Sequence, residues 1–157
     1  MTDFPQAGDA MPDIAMETPD GGRVRPSDFK GCKLVVFFYP KDNTPGCTTE
    51  AKDFTALKGD FDAAGVALLG VSKDSAKKHQ NFIAKHELTT PLATDADEGG
   101  LSEVLGLWTE KKMYGKTFMG MVRTTYLVDA EGKIAQVWPK VKVKGHAEEV
   151  LAAAKAL

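Results

Sequence analysis

A chain of 157 residues, 43% hydrophobic and 27% charged, holds enough apolar material for one core and fits a single domain over residues 1–157. The formal net charge of -2 argues against a strongly cationic nucleic-acid binder and against an anionic membrane as partner. No run approaches the roughly 18 apolar residues of a membrane span. MTDFPQAGDAMPD lacks the basic start and apolar stretch of a secretory signal, so the expected location is the cytosol, where Cys32 and Cys47 rest as thiols.

Residues 1–12 hold Pro5, Gly8 and Pro12 and read as surface chain. Ile14–Met16 and Gly22–Val24 flank Pro19-Asp20-Gly21, the pattern of a short N-terminal hairpin. Residues 34–39, LVVFFY, are apolar on both faces, as in a central strand covered on two sides. Ala51, Phe54, Leu57 and Phe61 then recur at helical spacing, predicting an amphipathic helix over 46–62. A second buried strand spans 66–71. Ala76, Phe82, Ile83 and His86 mark a second helix, and Leu101, Val104 and Leu105 a short third one. Residues 124–128 and 134–138 flank Asp129-Ala130-Glu131-Gly132-Lys133, a hairpin signal. Lys140, Lys142 and Lys144 alternate with Val141 and Val143, which reads as an edge strand guarded by lysines. A final helix carries Val150, Leu151, Ala154 and Leu157. The order is α/β with a mixed central sheet flanked by helices, that of thioredoxin-like folds.

The stretch YPKDNTPGCTTE, residues 39–50, joins the central strand to the first helix. Thr44-Pro45 looks like an N-cap followed by proline at the first helical position. Gly46 and Cys47 then fall in the first turn, where unpaired amides and the macrodipole both favour thiolate over thiol. The edge beyond a strand's carboxyl end is also where open α/β sheets place their sites. Glu50 lies one turn further on the same side and opposes that thiolate, so the site calls for a cation. Arg123 is the candidate: if residues 124–128 run antiparallel to 34–39, Arg123 starts at the edge where Cys47 and Glu50 sit. Lys41 and Lys52 are nearer in sequence but are expected in water.

Pro40, Thr44 and Cys47 match the P-x-x-x-T-x-x-C motif of peroxiredoxins. FYPKDNTPGCTTE, YGKTFMGMVRTTYLVDAEGK and KVKVKGHAEEVL together resemble the bacterioferritin comigratory protein (peroxiredoxin Q) branch, from about residue 10 to the end. The resemblance implies a thioredoxin-fold enzyme, commonly a monomer in this branch, that reduces hydrogen peroxide and organic hydroperoxides without a cofactor. Cys47 would be the peroxidatic thiolate, passing through sulfenic acid. Thr44 would hydrogen-bond the peroxide, Arg123 would steady thiolate and oxygens, Pro40 would shield the pocket, Glu50 would orient Arg123, and the amides of Gly46 and Cys47 would face the oxygens.

The sequence departs from that branch at the resolving cysteine, for which both common positions hold other residues, Lys52 and Ile83. Cys32 precedes the strand whose far end delivers Cys47. Some seven strand residues at about 3.3 Å each separate the two by roughly 20 Å, far beyond disulfide reach. Cys32 therefore reads as a buried structural thiol, with an intermolecular bridge as the alternative. The expectation is a one-cysteine enzyme reduced by an external thiol, thioredoxin or glutathione with glutaredoxin. A thiol-disulfide oxidoreductase would want C-x-x-C, and Glu50 holds the second position. A redox sensor or chaperone-like module that uses Cys47 as a switch is the other alternative. His79 and His86 could share a helix face, yet neither cysteine stands at zinc-like spacing to them, so they read as surface or half-buried histidines and no metal is expected. His146 reads as a polar helix starter. Phe118, Met119 and Met121, just before Arg123, either belong to the core or line a pocket mouth that admits apolar hydroperoxides.

Overall fold

The computed structural model describes residues 4–96 and 98–157. Its centre is β3 (Lys33–Phe38), parallel to β4 (Val66–Ser72) on one side and antiparallel to β8 (Thr124–Val128) on the other. Period-two alternation sends Val35, Phe37 and Tyr39 to one face and Leu34, Val36 and Phe38 to the other. Both faces are covered, which is why the run is apolar throughout.

The sheet extends on both sides of this centre. Next to β4 lies β5 (Leu92–Thr94), parallel to it. Then comes the N-terminal hairpin of β1 (Met16–Glu17) and β2 (Arg23–Val24), through Glu17 opposite Thr94. Beyond β8 lies β9 (Ile134–Trp138), giving a seven-stranded order β2-β1-β5-β4-β3-β8-β9. This is a thioredoxin-like mixed sheet. Helices α1 (Pro45–Ala63), α2 (Ala76–His86) and α4 (His146–Ala156) bury one face through Phe54, Phe61, Phe82, Val150 and Leu151. Each such side chain contributes about 1.5–3 kcal/mol by leaving water. The short α3 (Leu101–Val104) joins Met11, Met16 and Met121 on the other face.

Several expectations change. Residues 1–3 of the expected surface segment lie outside the described residues. Its later part is pinned along β9: the Gly8 and Met11 amides donate to the Ile134 and Gly132 carbonyls, and Met11 is buried. β5 was not anticipated, nor was a separate two-stranded ribbon of β6 (Trp108–Met113) and β7 (Lys116–Met121). The ribbon turns on Tyr114 and Gly115, with φ of 53° and 73°, the pair of positive angles that a two-residue hairpin turn requires.

The lysine-valine alternation forms no strand. Pro139 follows β9, Lys140 takes φ 49°, and the Val141 amide donates to the Arg123 carbonyl at 2.9 Å instead of to a neighbouring strand. Cys32 is exposed rather than buried, because it sits in the turn that precedes β3. His79 is fully buried and His146 nearly so; their partners are given below.

Candidate active site

The register places the site. Thr124 pairs with Phe38 at the carboxyl end of β3, so Arg123 stands beside the chain as it leaves the strand through Tyr39 and Pro40. The backbone around Arg123 is held on both sides. The Val122 amide donates to the Leu107 carbonyl at 2.8 Å, and the Arg123 carbonyl accepts from Val141. Its side chain crosses to the first turn of α1. There Nη2 donates to Cys47 Sγ at 3.2 Å, and Nη1 donates to Glu50 Oε1 at 2.7 Å.

Thr44 has extended N-cap angles, φ -91° and ψ 153°, and Pro45 follows at the first helical position. The Thr44 hydroxyl does not cap the helix. It donates instead to the Lys41 carbonyl at 2.8 Å. That leaves its oxygen lone pairs as acceptors and leaves the leading amides of α1 for a ligand. Gly46 makes room for the arginine: a Cβ there would come within 3.2 Å of Arg123 Nη2. Pro40 lies exposed at the rim. Lys41 and Lys52 are exposed as well, leaving the guanidinium as the cation on the sulfur.

Cys47 is 2% exposed, and the Glu50 side chain 1%. Burial drives the Glu50 carboxyl up to about 7 against the opposing pull of Arg123, and its Oε2 has no hydrogen-bond partner among the described residues. On Arg123, burial disfavours the charge, but Glu50 and Cys47 outweigh it and hold the guanidinium above its ordinary value. A buried sulfur, a fixed cation and free helix amides converge on one small site. Such an arrangement stabilises negative charge that develops within it.

Among the remaining candidates, Met121 is buried in the core, whereas Phe118 and Met119 are exposed on β7. His146 contacts Thr125 Oγ1 through Nε2 at 2.8 Å and packs edge-on against Phe54 and Trp138. Its burial, with the Arg123 charge acting in the same direction and Glu149 opposing, lowers its pKa. Sequence reasoning missed a buried polar network behind the loop. Tyr39 Oη donates to Asp42 Oδ1 at 2.6 Å, and His79 Nδ1 lies 2.7 Å from Asp42 Oδ2. The sequence signal was present in the polar KDN that follows FFYP, but its partners lie far along the chain.

Comparison with known proteins fits this geometry. The model of the AhpC/TSA family matches residues 7–137. Peroxiredoxin Bcp of Xanthomonas campestris pv. campestris is 49% identical over 144 residues, covering 92% of this chain and 89% of that protein. Peroxiredoxin Bcp of Bacillus subtilis is 44% identical over 146 residues, covering 93% and 92%. Among solved structures, the Xanthomonas campestris bacterioferritin comigratory protein, studied for alkyl peroxide reduction, superposes with a TM-score of 0.88 at 46% identity and covers 96% of this chain and 98% of its own. A cysteine-to-serine variant of Xylella fastidiosa PrxQ gives 0.88 at 36% identity, with 99% and 98% covered.

Proposed function

This chain belongs to the AhpC/TSA family, in its peroxiredoxin Bcp branch, and is a thiol-dependent peroxidase; from that premise we propose that Cys47 is the peroxidatic residue and works without a resolving cysteine of its own. The observation that carries the proposal is the 3.2 Å contact between Arg123 Nη2 and Cys47 Sγ at the uncapped start of α1.

The Cys47 thiolate attacks the terminal peroxide oxygen. An S–O bond forms, the O–O bond breaks, and sulfur gives up two electrons and becomes sulfenic acid. The leaving oxygen departs as hydroxide or alkoxide and takes a proton from solvent, releasing water or an alcohol. Thr44, whose own proton is committed to the Lys41 carbonyl, accepts a hydrogen bond from the peroxide. Arg123 and the amides of Gly46 and Cys47 offset the charge that builds on the oxygens. Pro40 shields the mouth. Glu50 fixes the other arm of the guanidinium.

An external thiol then attacks the sulfenic acid, giving a mixed disulfide and water. A second thiol releases Cys47 and leaves the oxidised reductant as a disulfide. Thioredoxin, or glutathione with glutaredoxin, fits that role. Lys52 and Ile83 stand where the branch places a resolving cysteine, and Cys32 lies before β3 while Cys47 lies beyond its far end. At about 3.3 Å per strand residue, that span is roughly 20 Å. The reading extends to a single domain acting as a monomer in the cytosol, in antioxidant defence and redox homeostasis. No helix among the described residues is long and apolar enough to cross a membrane.

Intact mass after one equivalent of peroxide tests the proposal. A monomer heavier by one oxygen is expected, and loss of two hydrogens within a monomer refutes the one-cysteine cycle. Repeated peroxide consumption with reductant separates the enzyme from a sensor or chaperone-like switch, which would oxidise once and stop.

A further inference from the structure

Helix α2 presents His79 and His86 on one face, two turns apart. Neither hydrogen-bonds Cys47, Thr44 or Arg123 among the described residues, yet both reach the loop between β3 and α1. His79 Nδ1 lies 2.7 Å from Asp42 Oδ2, a close polar contact without hydrogen-bond geometry, and 3.4 Å from Tyr39 Oη, while its Nε2 lies 3.1 Å from the Ala93 carbonyl. His86 Nε2 lies 3.2 Å from Asn43 Oδ1. The Asp42 amide donates to Asp74 Oδ2 at 2.8 Å, and Ser72 Oγ donates to the same oxygen at 2.6 Å.

We propose that His79 and His86 are positioning residues for the peroxidatic loop, holding Asp42 and Asn43 so that Thr44 and the first turn of α1 meet Arg123 in one arrangement. The inference rests on the peroxidase reading and adds to it a second set of residues, on a different helix. Three features of the loop carry it. Asn43 adopts φ 62°, a left-handed angle that persists where surrounding contacts fix it. The Lys41 carbonyl, one residue before Asp42, accepts the Thr44 hydroxyl, so displacement of Asp42 carries Thr44 with it. The polar groups sit where apolar ones would pack at less cost: His79 and Ser72 are fully buried, and Asp42 and Asp74 are 6% and 8% exposed. Apolar packing would bury the same area without direction. Directional polar contacts, among them the hydrogen bonds from Tyr39 and to Asp74, fix the loop to the small tolerances on which an attack geometry depends.

The test uses the full chain in a Cys32→Ser background, so that thiolate absorbance reports Cys47 alone. His79→Gln and His86→Ala are compared with Leu151→Ala, a core truncation in α4, a helix that makes no hydrogen bond to the loop among the described residues. All are measured at a temperature where circular dichroism shows them folded. His79→Gln is expected to slow the reaction with hydrogen peroxide about tenfold or more and to move thiolate formation to higher pH. His86→Ala, whose partner is exposed, is expected to do the same to a smaller degree, about threefold. Leu151→Ala lowers the melting temperature and moves neither quantity. A His79→Gln protein that melts earlier but reacts and titrates as the parent does overturns the inference. Should that variant fail to fold, His86→Ala decides alone, and an unchanged rate and titration there overturn it. A parent that consumes no peroxide sinks the peroxidase reading instead, while the titration arm still judges the positioning role.

Discussion

Replacing Glu50 by Gln isolates what this buried carboxylate costs and what it contributes. Burial raises its pKa from 4.5 to about 7, against the pull of Arg123. Between those values the folded protein holds a proton that the unfolded chain has released. Stability is therefore fully present below about pH 4.5 and is lost as pH rises towards 7. At about 1.4 kcal/mol per pH unit the loss comes to about 3.5 kcal/mol, an order-of-magnitude figure. Gln has the same shape and no charge, so Glu50→Gln should match the parent near pH 4.5 and exceed it by up to about 3.5 kcal/mol at pH 8. Urea unfolding of the reduced proteins at the two pH values reads the difference. The same variant should reduce peroxide more slowly, because a carboxamide holds Arg123 Nη1 less firmly than the carboxylate does. A variant less stable than the parent at pH 8 would refute the reasoning, since attraction to Arg123 would then outweigh desolvation.

Stopped-flow peroxide reduction should be abolished by Cys47→Ser and left intact by Cys32→Ser, because the second thiol is exposed at the opposite end of β3. Arg123→Met should cost about 3–4 kcal/mol of transition-state stabilisation, roughly a hundredfold to a thousandfold in rate, by analogy with the loss of single oxyanion donors. Phe54 is fully buried and stacks on Phe37 with ring centroids 4.4 Å apart. Phe54→Ala should therefore lose about 3–5 kcal/mol in denaturant unfolding.

The parts of the fold that rest on repeated local pattern were legible in the sequence. Six consecutive apolar residues announced the central strand, and the spacing of Ala51, Phe54 and Phe61 announced α1. β5 was not legible, because three residues are too short a run to carry a period and its place is set by pairing with β4. The lysine-valine alternation misled because period two is necessary for a strand but not sufficient. Pro139 and the positive φ of Lys140 turn the chain, and the Val141 amide finds the Arg123 carbonyl. Cys32 misled because the average burial of cysteine says nothing about a turn.

Arg123 was legible for a topological reason: an antiparallel neighbour must begin where the central strand ends, whatever its side chains are. No comparable rule points from Asp42 to His79, since a buried polar contact between a loop and a helix leaves no periodicity in either. Yet Glu50, Asp42 and His79 share a physical signature. Each is a polar group that an apolar side chain could replace at lower cost in a packed interior, and each lies on α1, α2 or the loop at the carboxyl end of β3. Among the described residues, the other buried polar groups that are not hydroxyls are Asp74, which holds the Asp42 amide, His146 at the start of α4, and Asp95, which binds the start of α3. Four of these six, Glu50, Asp42, His79 and Asp74, are thus gathered around the loop where a sulfur, a guanidinium and a hydroxyl must be held in fixed relation, which is where a fold can put directional, destabilising groups to use.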